Sequence, residues 1–494
     1  MAAVHRWCLA AAIVCSPGAW GLAAESFPAL VDGRAPATLD DVWAGYDPEA
    51  EPLESEIQAE WTRDGVVCRV VRYRIGTFKD APATMVAFYV APQGGEAVPG
   101  VLQIHGGGQS ASLGGAVADA KRGYASLSIN WGGNPLRFDG QGPVVEGVNT
   151  DWGRLDATHP PQRNAVNHFS PGGLAPDDWT LDAVESPRNS NWFLVLVAAR
   201  RGISFLKSRP EVDPARIGVY GHSMGGTLTT NLAAIDPRVR VAVPSCGGAG
   251  VVLAGQVDVP GCVKTRPSPL ELACVVDNPA IERLTCPILW LSPTNDFHAP
   301  IDNMAITWRN LPDDQVRFSV SPHRNHVHAD EHAITQHLWF EQHLTRAFTM
   351  PRTPAIRWEI DRSRGVPTEA ADRLVDDGSH GWRDWYQVNW GHPPLWRAWT
   401  RKVKDPAWRG PEGAALVFDI RCQAANRLLV EFETNGWGAF DAAQPAVSYN
   451  AVVPLQAATT ARVTSRSPGP GVVRNAVSCP GSPLRRLHRW LVSG

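Results

Sequence analysis

Charge is scarce in this chain and almost balanced. Only 19% of its 494 residues are Asp, Glu, Lys or Arg, and 46 basic against 49 acidic side chains leave a formal net charge of -3. A nucleic-acid partner would call for a basic excess or patch, so none is expected. Cysteine is sparse as well, nine in all, with no CxxC or similar metal spacing. No structural metal and no cofactor are expected. Long apolar runs are also missing. Trp7 to Cys15 is too short for the roughly 20 residues that cross a bilayer. With His5 and Arg6 before it and Gly21-Leu22-Ala23 after it, that run reads as a secretory leader cut after Ala23. Residues 1–23 are therefore expected to be removed and the remainder exported, periplasmic or extracellular, with no membrane attachment. The leader takes Cys8 and Cys15 with it and leaves Cys68, Cys246, Cys262, Cys274, Cys286, Cys422 and Cys479. Seven cannot all pair. One or two disulfides among Cys246, Cys262 and Cys274 are expected in an oxidising compartment, with buried free thiols the alternative.

What the chain does have is apolar material (44%) together with 41 Pro, 45 Gly and 20 Trp. That apolar share is too high for disorder, so the Pro and Gly mark turns and long connections. Residues 25–60 are Pro- and acid-rich and show little periodicity, as an extension lying on a domain would. Val66 to Val71 and Met85 to Val90 are short β-rich runs that would form an antiparallel sheet edge. Buried apolar runs then follow at Gly100 to Ile104, Tyr124 to Ile129, Arg216 to Tyr220, Val239 to Val243, Ile288 to Leu291 and Val316 to Val320. Helical patterns lie at Trp192 to Leu206, Thr227 to Ile235, Ile301 to Trp308 and Ala333 to Leu344. Strands alternating with helices give the expected fold class: α/β, a mostly parallel sheet with helices on both faces, over residues 24–348. Residues 131–190 break the alternation with Gly, Pro, Asn, Asp and Trp. A connection of that length is expected to be a lid or substrate wall. Residues 355–460 hold eight Trp and period-two runs such as Leu416, Phe418 and Ile420, which predict a small antiparallel all-β module. Residues 461–494 are expected to form a poorly ordered tail.

The chemistry starts at Gly221-His222-Ser223-Met224-Gly225, which fits G-x-S-x-G between a buried strand and a helix. Flanking glycines let that strained turn form, and it lifts the Ser223 hydroxyl to a helix N-terminus where negative charge is favoured. A serine needs a base, and the base needs an orienting acid. Asp296, just past the strand Ile288 to Leu291, is the candidate acid. Asp302 is the alternative, unless it only caps a helix. After the strand ending at Val320 come His323, His326 and His328, and all three compete for the base. His326 is preferred because it lies far enough along to reach back over Ser223. His332, His337 and His343 continue the cluster at mixed spacing, without the Cys or carboxylate pattern of a metal site. His298 is read as a wall residue. His105-Gly106-Gly107-Gly108 follows a buried strand, and Gly107 or Gly108 with the Met224 N–H are the candidate donors to an oxyanion.

Those residues, in that order, resemble the α/β-hydrolase superfamily. The stretch from Asp213 to Gly226 and the run from Ser321 to His326 look like its dienelactone-hydrolase-like, acetyl xylan esterase-like and prolyl-oligopeptidase-like branch, over roughly residues 65–345. True dienelactone hydrolases carry a cysteine nucleophile where this chain has Ser223, so the resemblance does not imply lactone hydrolysis. It implies a carboxylic ester hydrolase acting through Ser223, His326 and Asp296 on a small-molecule or polysaccharide ester, with carbohydrate acyl esters favoured. The alternatives are an oligopeptidase-like serine peptidase and a non-catalytic carbohydrate-binding protein. The Trp-rich module is similar to β-sandwich modules appended to polysaccharide-degrading enzymes.

Overall fold

The computed structural model describes residues 25–138 and most of 142–347, outside 159–172, 249–267, 276–280, 322–325 and scattered residues of 294–314; beyond these it describes strand backbones between 356 and 466. One nine-stranded sheet organises the first part. It is built from β1 (Glu56–Arg63), β2 (Val66–Phe78), β3 (Ala81–Pro92), β4 (Val98–Ile104), β5 (Ala125–Ile129), β6 (Val212–His222), β7 (Val239–Ser245), β8 (Ile288–Pro293) and β9 (Val316–Ser321). Their spatial order is β1-β2-β3-β5-β4-β6-β7-β8-β9. The pairs from β1 to β5 run antiparallel, and every pair from β5 and β4 onward is parallel. The central parallel strands are largely buried because both faces are covered, as β8 illustrates with six buried residues in a row.

Among the described residues the α-helices are α1 (Leu39–Trp43), α2 (Leu113–Lys121), α3 (Asn191–Lys207), α4 (Met224–Ile235), α5 (Pro269–Cys274) and α6 (Asp330–Phe340). In α3 the cap is Ser190, whose side chain accepts from the Trp192 N–H, and fifteen of its seventeen residues are buried. The buried Arg201 of α3 donates to the backbone carbonyls of Pro48, Glu51, Pro52 and Arg74, which ties the N-terminal extension down. Phe27 stacks on Tyr46 at 4.4 Å and meets Phe193 edge-on at 4.9 Å, doing the same from the apolar side.

Four sequence expectations need correction. Residues 56–63, included in part in the aperiodic extension, form the edge strand β1, whose exposed outer positions hide the alternation. Helix α2 was not expected, since its Gly114, Gly115 and Ala118 leave a weak apolar stripe. Cys246, Cys274 and Cys286 are free thiols, so Cys246 and Cys274 are not bridged, while Cys262 lies outside the described residues. The C-terminal strands are not all antiparallel.

That C-terminal part comprises β10 (Ile356–Asp361), β11 (Ala398–Val403), β12 (Ala415–Arg421), β13 (Asn426–Thr434), β14 (Val447–Leu455) and β15 (Thr460–Arg466). They form two three-stranded sheets, β10-β15-β12 and β11-β13-β14, with β11 and β13 parallel. Strand β15 straddles the boundary between residues 460 and 461. The tryptophan side chains of this module, the leader at 1–23 and most of the helix expected at Ile301 to Trp308 lie outside the described residues. Within 131–190 the described residues contain a single short helical turn, Pro187–Asn189, stapled by the buried pair Arg188 and Asp182 at 2.6 Å. Among the described residues no helix is long and apolar enough to cross a membrane.

Candidate active site

Ser223 sits between β6 and α4 with φ 60° and ψ -120°, a backbone region that a non-glycine residue occupies only when its surroundings impose it. The surroundings do so through the main chain. Its N–H donates to the Ser245 carbonyl at 2.8 Å, and its own carbonyl accepts the Thr227 N–H at 3.1 Å, which starts the helix. Glycine is needed on either side. A Cβ at Gly225 would run into the Ile104 carbonyl, and one at Gly221 would meet the carbonyls of Gly225 and Ile104. The G-x-S-x-G pattern is thus the record of β4, β6 and α4 meeting at van der Waals distance.

The structure brings His326 and Asp296 to this turn. His326 Nε2 lies 2.6 Å from Ser223 Oγ, and His326 Nδ1 lies 2.9 and 3.0 Å from the two carboxylate oxygens of Asp296. Asp296 is fully buried, and its Oδ1 also accepts the Ala299 N–H at 2.9 Å. A carboxylate on Nδ1 favours the tautomer that leaves Nε2 free to accept the serine proton. Of the three competing histidines, His326 reaches Ser223. His328 instead lies with Nδ1 3.3 Å from Ser245 Oγ, and His323 lies outside the described residues, as do Asp302 and His298.

The His105–Gly108 loop lies against the same turn. The buried His105 ring stacks on Trp131 at 4.9 Å and 5°. It contacts the Gly106 carbonyl through Nδ1 at 2.7 Å and accepts the Gly132 N–H through Nε2 at 3.3 Å. Burial pushes its pKa down to about 4, so the ring stays neutral and works as a brace. The Gly106 N–H donates to Gln109 Oε1 at 2.9 Å. Gly108, at φ +74°, lines a cavity of about 840 Å³ that opens beside His326. Gln109, Arg137, Gln336 and His337 line it together with Leu113, Phe138 and Val327, so its walls mix polar and apolar groups. Met224 opens α4, which puts its N–H at the positive end of that helix.

Of the remaining histidines, His332 is buried with its ring 5.7 Å from that of His328, and His343 meets Trp339 edge-on at 4.2 Å. Burial pushes His337 and His343 down to about 4 each. Among the described residues one group of His, Cys, Asp and Glu is close enough to share a metal ion. It is Cys246, Asp296 and His326, with ligand atoms within 4.8 Å of one another. Its centre is already taken up by the Asp296 to His326 hydrogen bonds. Residues that sequence reasoning missed are Ser245 and Cys246, at the end of β7, and Gln109. Nothing in a strand end and an ordinary polar residue announces such a role.

Two family models match the chain: the dienelactone hydrolase family over residues 193–334, and acetyl xylan esterase over residues 34–246. Among curated relatives, an acetyl esterase of Xylanibacter ruminicola is 29% identical over 157 residues, which is 30% of this chain and 36% of that protein. A thiohydrolase of Arthrinium phaeospermum is 43% identical over 44 residues, 9% of this chain and 14% of that protein. The chain thus spans little more than a third of these relatives at most. An acetyl xylan esterase structure from Paenibacillus sp. R4 superposes with a TM-score of 0.45 at 17% identity, covering 60% of this chain and 91% of that one.

Proposed function

The chain belongs to the α/β-hydrolase superfamily, in its dienelactone hydrolase-like and acetyl xylan esterase-like branch, and from that premise we propose that it is an exported serine esterase removing acyl groups from carbohydrate. The observation that carries the reading is the continuous hydrogen-bond path from Ser223 Oγ through His326 to the buried Asp296. In this reading Ser223 Oγ attacks the ester carbonyl and His326 Nε2 takes its proton. The oxyanion that forms is held by the Met224 N–H and by Gly107 or Gly108. His326 then protonates the departing alcohol, and a water molecule deprotonated by the same imidazole releases the acid from the acyl-enzyme. The Asp296 carboxylate holds the ring and offsets its transient positive charge.

Support for a carbohydrate alcohol comes from the matched acetyl xylan esterase model and from the hydrogen-bonding side chains Gln109, Arg137 and Gln336 in the wall of the cavity beside His326. Support for export comes from the leader pattern at residues 1–23. The test compares an acetylated sugar, p-nitrophenyl acetate and a chromogenic peptide, with wild type and Ser223→Ala. Both esters are expected to turn over, the peptide is not, and Ser223→Ala should lose about 10⁴-fold or more in kcat. Turnover of the peptide alone would move the chain to the peptidases. Undiminished ester turnover by Ser223→Ala would remove Ser223 from the mechanism.

A further inference from the structure

Two consecutive residues at the end of β7 touch all three arms of the site. The Ser245 carbonyl accepts the Ser223 N–H at 2.8 Å. The Ser245 hydroxyl lies 3.3 Å from His222 Nδ1 and 3.3 Å from His328 Nδ1. His222 immediately precedes the serine, and His328 follows the base by two residues, so one hydroxyl spans the shoulders of both loops. Cys246 continues the bridge. Its N–H donates to the Leu291 carbonyl at 2.9 Å, at the strand that leads to Asp296. Its thiol contacts the Val327 carbonyl at 3.6 Å, and its Sγ falls within 4.8 Å of the facing ligand atoms of Asp296 and His326. Cys246 reaches this position through a left-handed backbone, φ 52°, and is completely enclosed. A hydroxyl donates one hydrogen bond and accepts two, so Ser245 can serve both imidazoles in any combination of tautomers that leaves it one acceptor or none. The groups facing the Ser245 hydroxyl are His222 from β6, His328 from the loop before α6 and the Cys246 thiol beside it.

We propose that Ser245 is a positioning residue for the reaction: by tying His222 to His328 it sets the separation between Ser223 Oγ and His326 Nε2, with Cys246 fixing the acid side of the same bridge. This rests on the serine-hydrolase reading above. Nucleophile activation falls off steeply with misplacement of the base, so loosening the bridge should slow proton removal from Ser223 while leaving binding of the ester alone.

The experiment measures how fast a fluorophosphonate labels Ser223, by intact-mass spectrometry, in the full chain as wild type, Ser245→Ala and Ser245→Thr. The rate constant is read apart from the final labelled fraction, because a variant that merely folds less well labels a smaller fraction at an unchanged rate. The expected result is a rate constant lowered about tenfold in Ser245→Ala, full final labelling, and recovery to within about threefold in Ser245→Thr. In steady-state ester assays kcat should fall and KM should hold. A Ser245→Ala rate equal to wild type overturns the inference, as does a loss confined to the labelled fraction. Failure of wild type to label at Ser223 overturns the serine-hydrolase reading instead, and the inference with it.

Discussion

The two halves of the proposed active site, the proposed nucleophile Ser223 on one side and the proposed base His326 and acid Asp296 on the other, are held in different ways. The nucleophile half is defined by main chain: Ser223 is pinned by backbone hydrogen bonds to Ser245 and Thr227, and its flanking glycines admit neighbouring carbonyls that any side chain would exclude. The base and acid half is defined by side chains. His326 is placed by Asp296, and the loop that carries it is met by the Ser245 hydroxyl and the Cys246 thiol. The first kind of arrangement tolerates almost no added volume and needs little polar support. The second depends on single polar atoms, so it fails when one of them is taken away. Strain is stored where the scaffold is rigid, and tuning is left to side chains that can be exchanged.

Breaking the side-chain half should have the largest effect on rate. Asp296→Asn keeps the volume but reverses the tautomer preference of His326, and kcat for p-nitrophenyl acetate is expected to fall by about 10³- to 10⁴-fold, with the thermal midpoint within a few degrees of wild type. A drop of less than tenfold would mean that another acid orients the ring. Breaking the main-chain half should cost stability instead. Gly225→Ala drives a methyl group into the Ile104 carbonyl, and urea unfolding should show a loss of about 3 kcal/mol or more. A wild-type midpoint would show that the turn can yield. Removal of the thiol sharpens the contrast: Cys246→Val should lower kcat about tenfold, whereas Cys246→Ser, which keeps a donor, should stay within about threefold.

Acid gives the smallest and most graded effect. Burial holds His105, His337 and His343 at about 4 in the fold, below the ordinary value of 6.5. The unfolded chain therefore binds protons that the folded chain does not, and stability present above pH 6.5 is lost as the pH falls toward 4. His343→Gln removes one of these groups and should flatten part of that slope. A urea midpoint that is constant between pH 6.5 and 4 would contradict this account.

The same contrast explains what could be read from the chain. Ser223 was legible because its turn needs glycine at fixed offsets, and such a requirement is written into consecutive letters. The parallel strands were legible for a similar reason, since burial on both faces demands unbroken apolar runs such as Ile288 to Leu291. Asp296 was placed by the strand before it, and the structure sets it on His326. Among His323, His326 and His328 the residue type is identical, and only the path of the loop decides which ring meets Ser223. Strand β1 escaped because its pairing to β2 needs no apolar alternation, and helix α2 because its small residues carry little moment. Ser245 and Cys246 lay beyond reach: they matter through what three separate loops bring to them, and no spacing in the chain encodes that meeting.

Arg201 has a bearing on where a shortened gene could start. The residue is 2% exposed, and its guanidinium donates to the carbonyls of Pro48, Glu51, Pro52 and Arg74. A truncation beginning at Glu56 would retain every strand of the large sheet and look generous on a topology diagram. It would also uncover a positive charge in the wall of α3 and withdraw three of its four acceptors. The minimal folding unit thus extends upstream of the first strand, and an alignment that begins at the sheet would cut the domain short.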